Sequence, residues 1–265
     1  MLSIEEIKLL IEKLEKVKKE DLQELIDSNL KILKDVALAI DANNDQVIDR
    51  LDKTPEWFAL DNQQKQGKPL VDEALQRQVQ LKIFQFGRTN VYNSLEIGPG
   101  NGMFSMDFRT WGQQFYLDVL PQVEEPIRKM FPSAHQKRLT FYQTKNTECS
   151  NIPQGSCNFV FSWDTFTFFT QTHIQQYIHD IKRVLIDGGY CMIQYADCHY
   201  DLDLDNAKRG YWNYNTKTEM TRMIEEEGYE VIEMNQFRPG ANYAVFQKPG
   251  KQNPVVYKKI EITLA

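Results

Sequence analysis

Residues 94–119 read SLEIGPGNGMFSMDFRTWGQQFYLDV, and the architecture of the chain follows from this stretch. Ser94-Leu-Glu-Ile97 is a short, mostly apolar run of the kind that forms a buried strand, and Gly98-Pro-Gly-Asn-Gly102 breaks it. A helical segment to about Trp111 follows, then a second strand, QQFYLDV, that closes on the acidic Asp118. Glycines at alternate positions 98, 100 and 102 permit positive φ and let a ligand approach the backbone closely. The turn falls at the carboxyl end of the first strand, where open α/β sheets bind their ligands. A dinucleotide turn of the form G-x-G-x-x-G would need its third glycine at Met103, which argues against an NAD-dependent oxidoreductase.

Working outward, the alternation continues. A helix through Val123 to Met130 precedes the strand LTFYQT, then come CNFVFSW, the helix THIQQYIHDIKRVL and the strand GGYCMIQYA. After a stretch read as irregular, the helix KTEMTRMIEEEG leads to YEVIEMNQF and NYAVFQK, joined by a short turn with Pro239 and Gly240. Such βα alternation predicts an α/β fold with an open, mostly parallel sheet.

From about residue 90 to 248 the chain resembles the class I S-adenosylmethionine-dependent methyltransferase family. The likeness rests on the E-x-G-x-G-x-G turn from Glu96 to Gly102, on Asp118 and on the order of the later elements, including Gly188-Gly189-Tyr190 at the fifth strand. It implies a Rossmann-like, doubly wound, seven-stranded sheet with an antiparallel last strand, and S-adenosyl-L-methionine as cofactor. By the same likeness Glu96, Gly98, Pro99, Gly100, Asn101 and Gly102 would wrap the amino-acid part of the cofactor. Asp118, with Val119 beside it, would take the ribose hydroxyls, since a carboxylate can accept both hydrogen bonds. Asn146 falls near the place of a frequent adenine-binding Asp, and an amide oxygen can serve there too. Ser162 and Trp163 belong to the motif of the fourth strand; Trp163 either packs on the adenine or closes the core.

Methyl transfer from a sulfonium is an in-line displacement, so alignment and exclusion of water dominate, and a hydroxyl acceptor needs a base besides. Candidates at the carboxyl ends of strands four and five are Asp164, Tyr195, Asp197 and His199, with Asp164 and His199 preferred; an imidazole suits proton abstraction near neutrality. Small-molecule members of the family resemble S-x-D-x-x-x-H here, and Phe168 stands in the histidine place. His173 and His179 read as surface or packing residues. Phe166, Phe168, Tyr195, Tyr211 and Trp212 are candidate substrate contacts, because aromatic faces bind sugars and planar ligands. Arg209, with Lys208, could meet a phosphate or carboxylate. The D/N-P-P-Y/F and Pro-Cys patterns of nucleic-acid methylation are missing. The expected reaction is O-methylation of a sugar or related hydroxylated metabolite. N-methylation of a small molecule and a catalytically inactive cofactor-binding partner subunit are the alternatives.

The 265 residues divide into a helical extension (1–88), the methyltransferase-like domain (89–250) and a tail (251–265) whose VVYKKIEITL could add an edge strand. In the extension, Ile4, Ile7, Ile11 and Leu14, then Leu22, Leu25, Leu30 and Leu33, recur at helical spacing and need a partner surface: the main domain, a lid position, or a second copy in a homodimer. Asp41 to Asp52 resembles part of an EF-hand loop, but Gln46 replaces its glycine and Asp52 its long bidentate acid, so no metal is expected. A formal net charge of −6 disfavours nucleic acid. An acidic N-terminus, MLSIEEIKLL, and no apolar run of about 20 residues predict a protein without a membrane span. Four cysteines without CxxC spacing fit a reducing cytoplasm.

Overall fold

A computed structural model describes residues 71–87, 93–108, 112–144 and 147–250, apart from the isolated Lys8. The helical extension up to residue 70, the EF-hand-like loop, Asn146 and the tail lie outside the described residues.

Seven strands form one sheet: β1 (Ser94–Ile97), β2 (Gln114–Asp118), β3 (Leu139–Gln143), β4 (Cys157–Ser162), β5 (Leu185–Tyr195), β6 (Glu230–Gln236) and β7 (Asn242–Gln247). Their order is β3-β2-β1-β4-β5-β7-β6, and β7 alone runs antiparallel to its neighbours. This is the doubly wound, Rossmann-like sheet of the sequence reading. Chain order reverses between β1 and β4, whose pairing sets Glu96 opposite Phe161. A crevice opens at such a switch point, outside the carboxyl ends of the strands.

Strands β1, β2 and β4 are buried almost throughout because helices cover both faces. On one face, α1 (Glu73–Phe86) starts at Asp72, whose carboxylate accepts the Leu75 N–H at 2.9 Å, and buries Leu75, Val79 and Ile83 at four-residue spacing. These meet Phe159, Met192, Tyr243 and Val245 of the sheet. Further along, α2 (Glu124–Met130) and the single turn α3 (Ser133–Gln136) precede β3, and Ile127 packs on Tyr116 and Leu139. On the opposite face, α4 (Gln171–Val184) is capped by Thr170 and buries Ile174, Tyr177, Ile178, Ile181 and Val184 against Val160, Cys191 and Phe246. α6 (Lys217–Glu226) adds Met220, Met223 and Ile224 to that core.

Two segments differ from the sequence reading. After the glycine turn only a short 3-10 turn, Ser105–Phe108, is described where a longer helix was expected. The stretch after β5 contains a helix, α5 (Asp201–Lys208), that its alternating Asp and Leu residues hid. Among the described residues, no helix is long and apolar enough to cross a membrane, and no group of three His, Cys, Asp or Glu could hold a metal ion.

Candidate active site

The turn after β1 combines three left-handed glycines, each for a different reason. Gly98 has φ 66°, Gly100 φ 53° and Gly102 φ 82°, values that L-residues avoid. A Cβ on Gly98 would lie 2.1 Å from Thr165 Oγ1, and one on Gly102 would lie 3.0 Å from Ile127 Cγ1. A Cβ on Gly100 would meet nothing within 4 Å, so this residue faces open space. The turn is anchored by Gly98 N–H to the Leu117 carbonyl at 2.8 Å and closed by Gly102 N–H to the Pro99 carbonyl at 2.8 Å.

Glu96 points beneath this turn. It is 4% exposed, and Ser105 donates its hydroxyl to Oε2 at 2.6 Å. Burial pushes its carboxyl up to about 8, with smaller upward contributions from Asp107 and Asp118 against the lowering effect of Ser105. Glu96 therefore shapes the floor of the turn, whereas direct cofactor contact was expected. Asp118, ending β2, accepts the Leu120 N–H at 2.9 Å. Burial raises its pKa, while the N–H groups of Leu120, Gly100 and Val119 work the other way. The Asp118 carboxylate thus lies beside the backbone of Gly100, which joins the two halves of the expected cofactor motif. Val119 is 46% exposed at the same edge, and its carbonyl accepts the Gln143 amide at 3.0 Å.

At the end of β4, Ser162 is fully buried and gives its hydroxyl to the Ile97 carbonyl at 2.7 Å, so it ties β4 to β1 and has no donor left for a ligand. Trp163 resolves toward the core: it is 6% exposed and packs on Phe104, Phe161 and Phe237. Asp164 is the one non-glycine residue with positive φ among those described, at 55°. Its N–H donates to Gln194 Oε1 at 2.6 Å, and Gln194 Nε2 donates to the Gly240 carbonyl at 3.0 Å. Burial pushes the Asp164 carboxyl up to about 6, with the Gln194 side chain opposing. A backbone held in the left-handed region beside a carboxyl raised by burial is a combination met at functional sites.

Beyond β5, Asp197 and His199 form a pair. His199 Nδ1 lies 2.8 Å from Asp197 Oδ1, and the same oxygen accepts the N–H groups of His199 and Lys217, both at 3.2 Å. The Asp197 side chain is 4% exposed and that of His199 39%. Residues 211–216 tie together the segments after β4 and β5, where the sequence places the substrate mouth: Asn213 N–H donates to the Thr167 carbonyl at 2.8 Å, its side chain to Phe168 O at 2.6 Å, and Cys198 N–H to Asn215 O at 2.9 Å. Tyr200, Leu202 and Tyr211 are exposed there, and Phe168 and Trp212 are partly covered. Arg209 and Lys208 are exposed at the end of α5.

Two expected substrate contacts belong to the core instead. Phe166 is 1% exposed against Phe169 and Tyr177, and Tyr195 is 1% exposed as the last residue of β5, where burial raises its phenol far above the usual range. His173 packs edge-on against Phe169, and His179 is exposed and pairs with Glu227. The sequence reading missed Ser105, Thr165, Gln194, Asp203 and Asn242, which act on the site through other residues and carry no motif.

A glycine turn at the switch point of a doubly wound sheet, facing a carboxylate from the next strand, is the place where sheets of this kind hold nucleoside-bearing cofactors. Residues 95–193 match the family described as "Methyltransferase domain". The solved structures with this fold include the N-methyltransferase NodS from Bradyrhizobium japonicum in complex with S-adenosyl-L-homocysteine, at 16% identity and TM-score 0.56, covering 77% of this chain and 99% of that one. An S-adenosylmethionine-dependent methyltransferase from Mesorhizobium loti is 11% identical, with TM-score 0.54, covering 64% and 96%. The 4+2 cyclase SpnF is 11% identical, with TM-score 0.55, covering 70% and 84%. No curated protein matches the chain. The matched segment marks a methyltransferase domain within this chain, and that family, with the fold, supports S-adenosylmethionine as the cofactor.

The residues present fit that group. The open side of Gly100 is a cradle that a Cβ would fill, and Asp118 offers acceptor oxygens beside it. Gly98 to Gly102 would hold the amino-acid part and Asp118 with Val119 the nucleoside part; the bound cofactor supplies an electrophilic methyl group.

Proposed function

We propose that this enzyme methylates a hydroxyl of a small molecule, a sugar or related hydroxylated metabolite, with His199 as general base and Asp164 orienting the acceptor. The observation that carries the reading is the 2.8 Å contact between His199 Nδ1 and the buried Asp197. A carboxylate on Nδ1 selects the tautomer whose Nε2 is the acceptor, and it stabilises the imidazolium formed when a hydroxyl gives up its proton. An amine acceptor or an inactive partner subunit has less need of a base held in this way. Exposed Tyr200 and Tyr211 beside Trp212 supply faces for a ring with hydroxyls around it. The fold by itself does not set the chemistry, since a protein named as a cyclase shares it.

The test is release of S-adenosylhomocysteine across a panel of hydroxylated metabolites. His199→Gln is expected to lower turnover by about 10²- to 10⁴-fold, the usual contribution of a general base, with cofactor affinity unchanged by calorimetry. Asp197→Asn should lower it too, because an amide cannot stabilise the imidazolium as a carboxylate does. Full turnover in His199→Gln would sink the assignment.

A further inference from the structure

The Asp197–His199 pair is itself held from behind. Asp197 donates its backbone N–H to Asp203 Oδ2 at 2.8 Å, and the same oxygen accepts the Asn242 side-chain amide. Asp203 lies in the first turn of α5 and Asn242 begins β7; the Asn242 amide also reaches the Tyr195 carbonyl at 3.5 Å. Both side chains are buried, Asp203 completely. Asn242 Oδ1 is buried and lacks a hydrogen-bond partner, while the Gly240 N–H also bears on the Asp203 carboxylate. Burying an acid beside an amide whose oxygen is unsatisfied costs free energy that an apolar pair of the same shape would not. Stability therefore does not account for the arrangement. Its effect is to pin the Asp197 backbone between α5, the end of β5 and the start of β7.

We propose that Asp203, held by Asn242, is a positioning residue that sets the orientation of the His199 ring through Asp197. The proposal builds on His199 as the base. The titratable groups around the pair are Asp203 from α5 and Tyr195, Cys198 and Tyr200 from the end of β5 and its loop. α6 contributes the Lys217 N–H, while the Lys217 ammonium is turned to the Met234 carbonyl at 3.1 Å. β7 contributes the neutral Asn242. Burial pushes Asp203 up to about 6, against the Asp197 N–H and the Asn242 amide. Oδ2 can accept the Asp197 N–H whether or not the acid is ionised, so the hold on the ring does not depend on that charge.

Ring-nitrogen NMR of the histidines in the full chain tests this without a known acceptor, with S-adenosylhomocysteine affinity as the control for an intact fold. The parent should show His199 as one tautomer, protonated on Nδ1. Asp203→Ala should give a mixture of tautomers, and Asp203→Asn, which keeps an acceptor oxygen, should restore the single one. Should Asp203→Ala not fold, Asn242→Ala reads the same hold from the other side and should also give a mixture. A single unchanged tautomer in the folded alanine variant overturns the proposal. With an acceptor in hand, turnover of Asp203→Ala should fall roughly 10- to 100-fold. A changed tautomer with unchanged turnover would instead overturn His199 as base and leave the positioning role standing.

Discussion

Glu96 is a carboxylic acid set among apolar strands, and its chemistry is governed by that setting. Its folded-state pKa, about 8, lies above the ordinary value of 4.5. The neutral acid therefore stabilises the fold fully below about pH 4.5, and that contribution is lost as the pH rises through 8. Asp164 adds the same trend in a lower window, from 3.8 to about 6. Glu96→Gln keeps an oxygen for the Ser105 hydroxyl and removes the ionisation. Thermal unfolding of the cofactor-free protein should find this variant close to the parent at pH 5 and more stable at pH 9, by on the order of a few kcal/mol. A parent with flat stability from pH 5 to 9 would contradict the burial argument. The identity of this acid was legible in the sequence. Its burial was not, because an acid within a strand reads the same whether it faces ligand or floor, and Ser105, which decides the matter, lies in no motif.

The glycine turn shows how much an element can tell from sequence. Its three glycines were legible; the separate duty of each was not, since that depends on Thr165 and Ile127, which arrive from other parts of the chain. Gly98→Ala must push a Cβ into Thr165, so it should destabilise the protein and disturb the end of β4 as well. A Cβ on Gly100 meets no neighbour, so Gly100→Val is expected to carry chiefly the left-handed penalty, roughly 1–2 kcal/mol. It should unfold near the parent temperature yet lose S-adenosylhomocysteine binding in calorimetry; retained affinity would remove Gly100 from the cofactor cradle. Helix α4 was legible from its 3.6-residue stripe, which lands on the core residue by residue. α5 was not. Asp201-Leu-Asp-Leu-Asp205 has the two-residue alternation of a strand, and the helix forms because Leu204, Ala207 and Asp203 all find buried partners from elsewhere. The aromatic run after β4 misled for a related reason: Trp163 and Phe166 sit close to the mouth in sequence, and the sheet turns them inward.

For the whole molecule, the doubly wound seven-stranded sheet and its antiparallel last strand followed from the alternation and the family likeness, whereas the proposed base finds its supports in pairings between distant segments. The described chain begins at Val71, and Asp72 pairs with Arg238 in the β6–β7 turn. In that turn Gly240 stands against Leu202 and Trp212 at the mouth. Residues 1–70 precede this segment in the sequence. Their removal is expected to weaken acceptor binding, seen as a higher KM, with cofactor affinity retained. Sedimentation of the parent and the truncated chain decides between this and a dimer contact, for which the mass would halve.

Gln194 spans the same region with one side chain, accepting the Asp164 N–H on its amide oxygen and donating its amide N–H to the Gly240 carbonyl of the β6–β7 turn. An amide does not titrate, so where Asp164 sits and how it is charged are controlled separately. Across the pH range in which that acid ionises, the two Gln194 bonds keep their donors and acceptors. Ionisation of Asp164 is therefore expected to change the charge at the end of β4 while leaving this anchor in place.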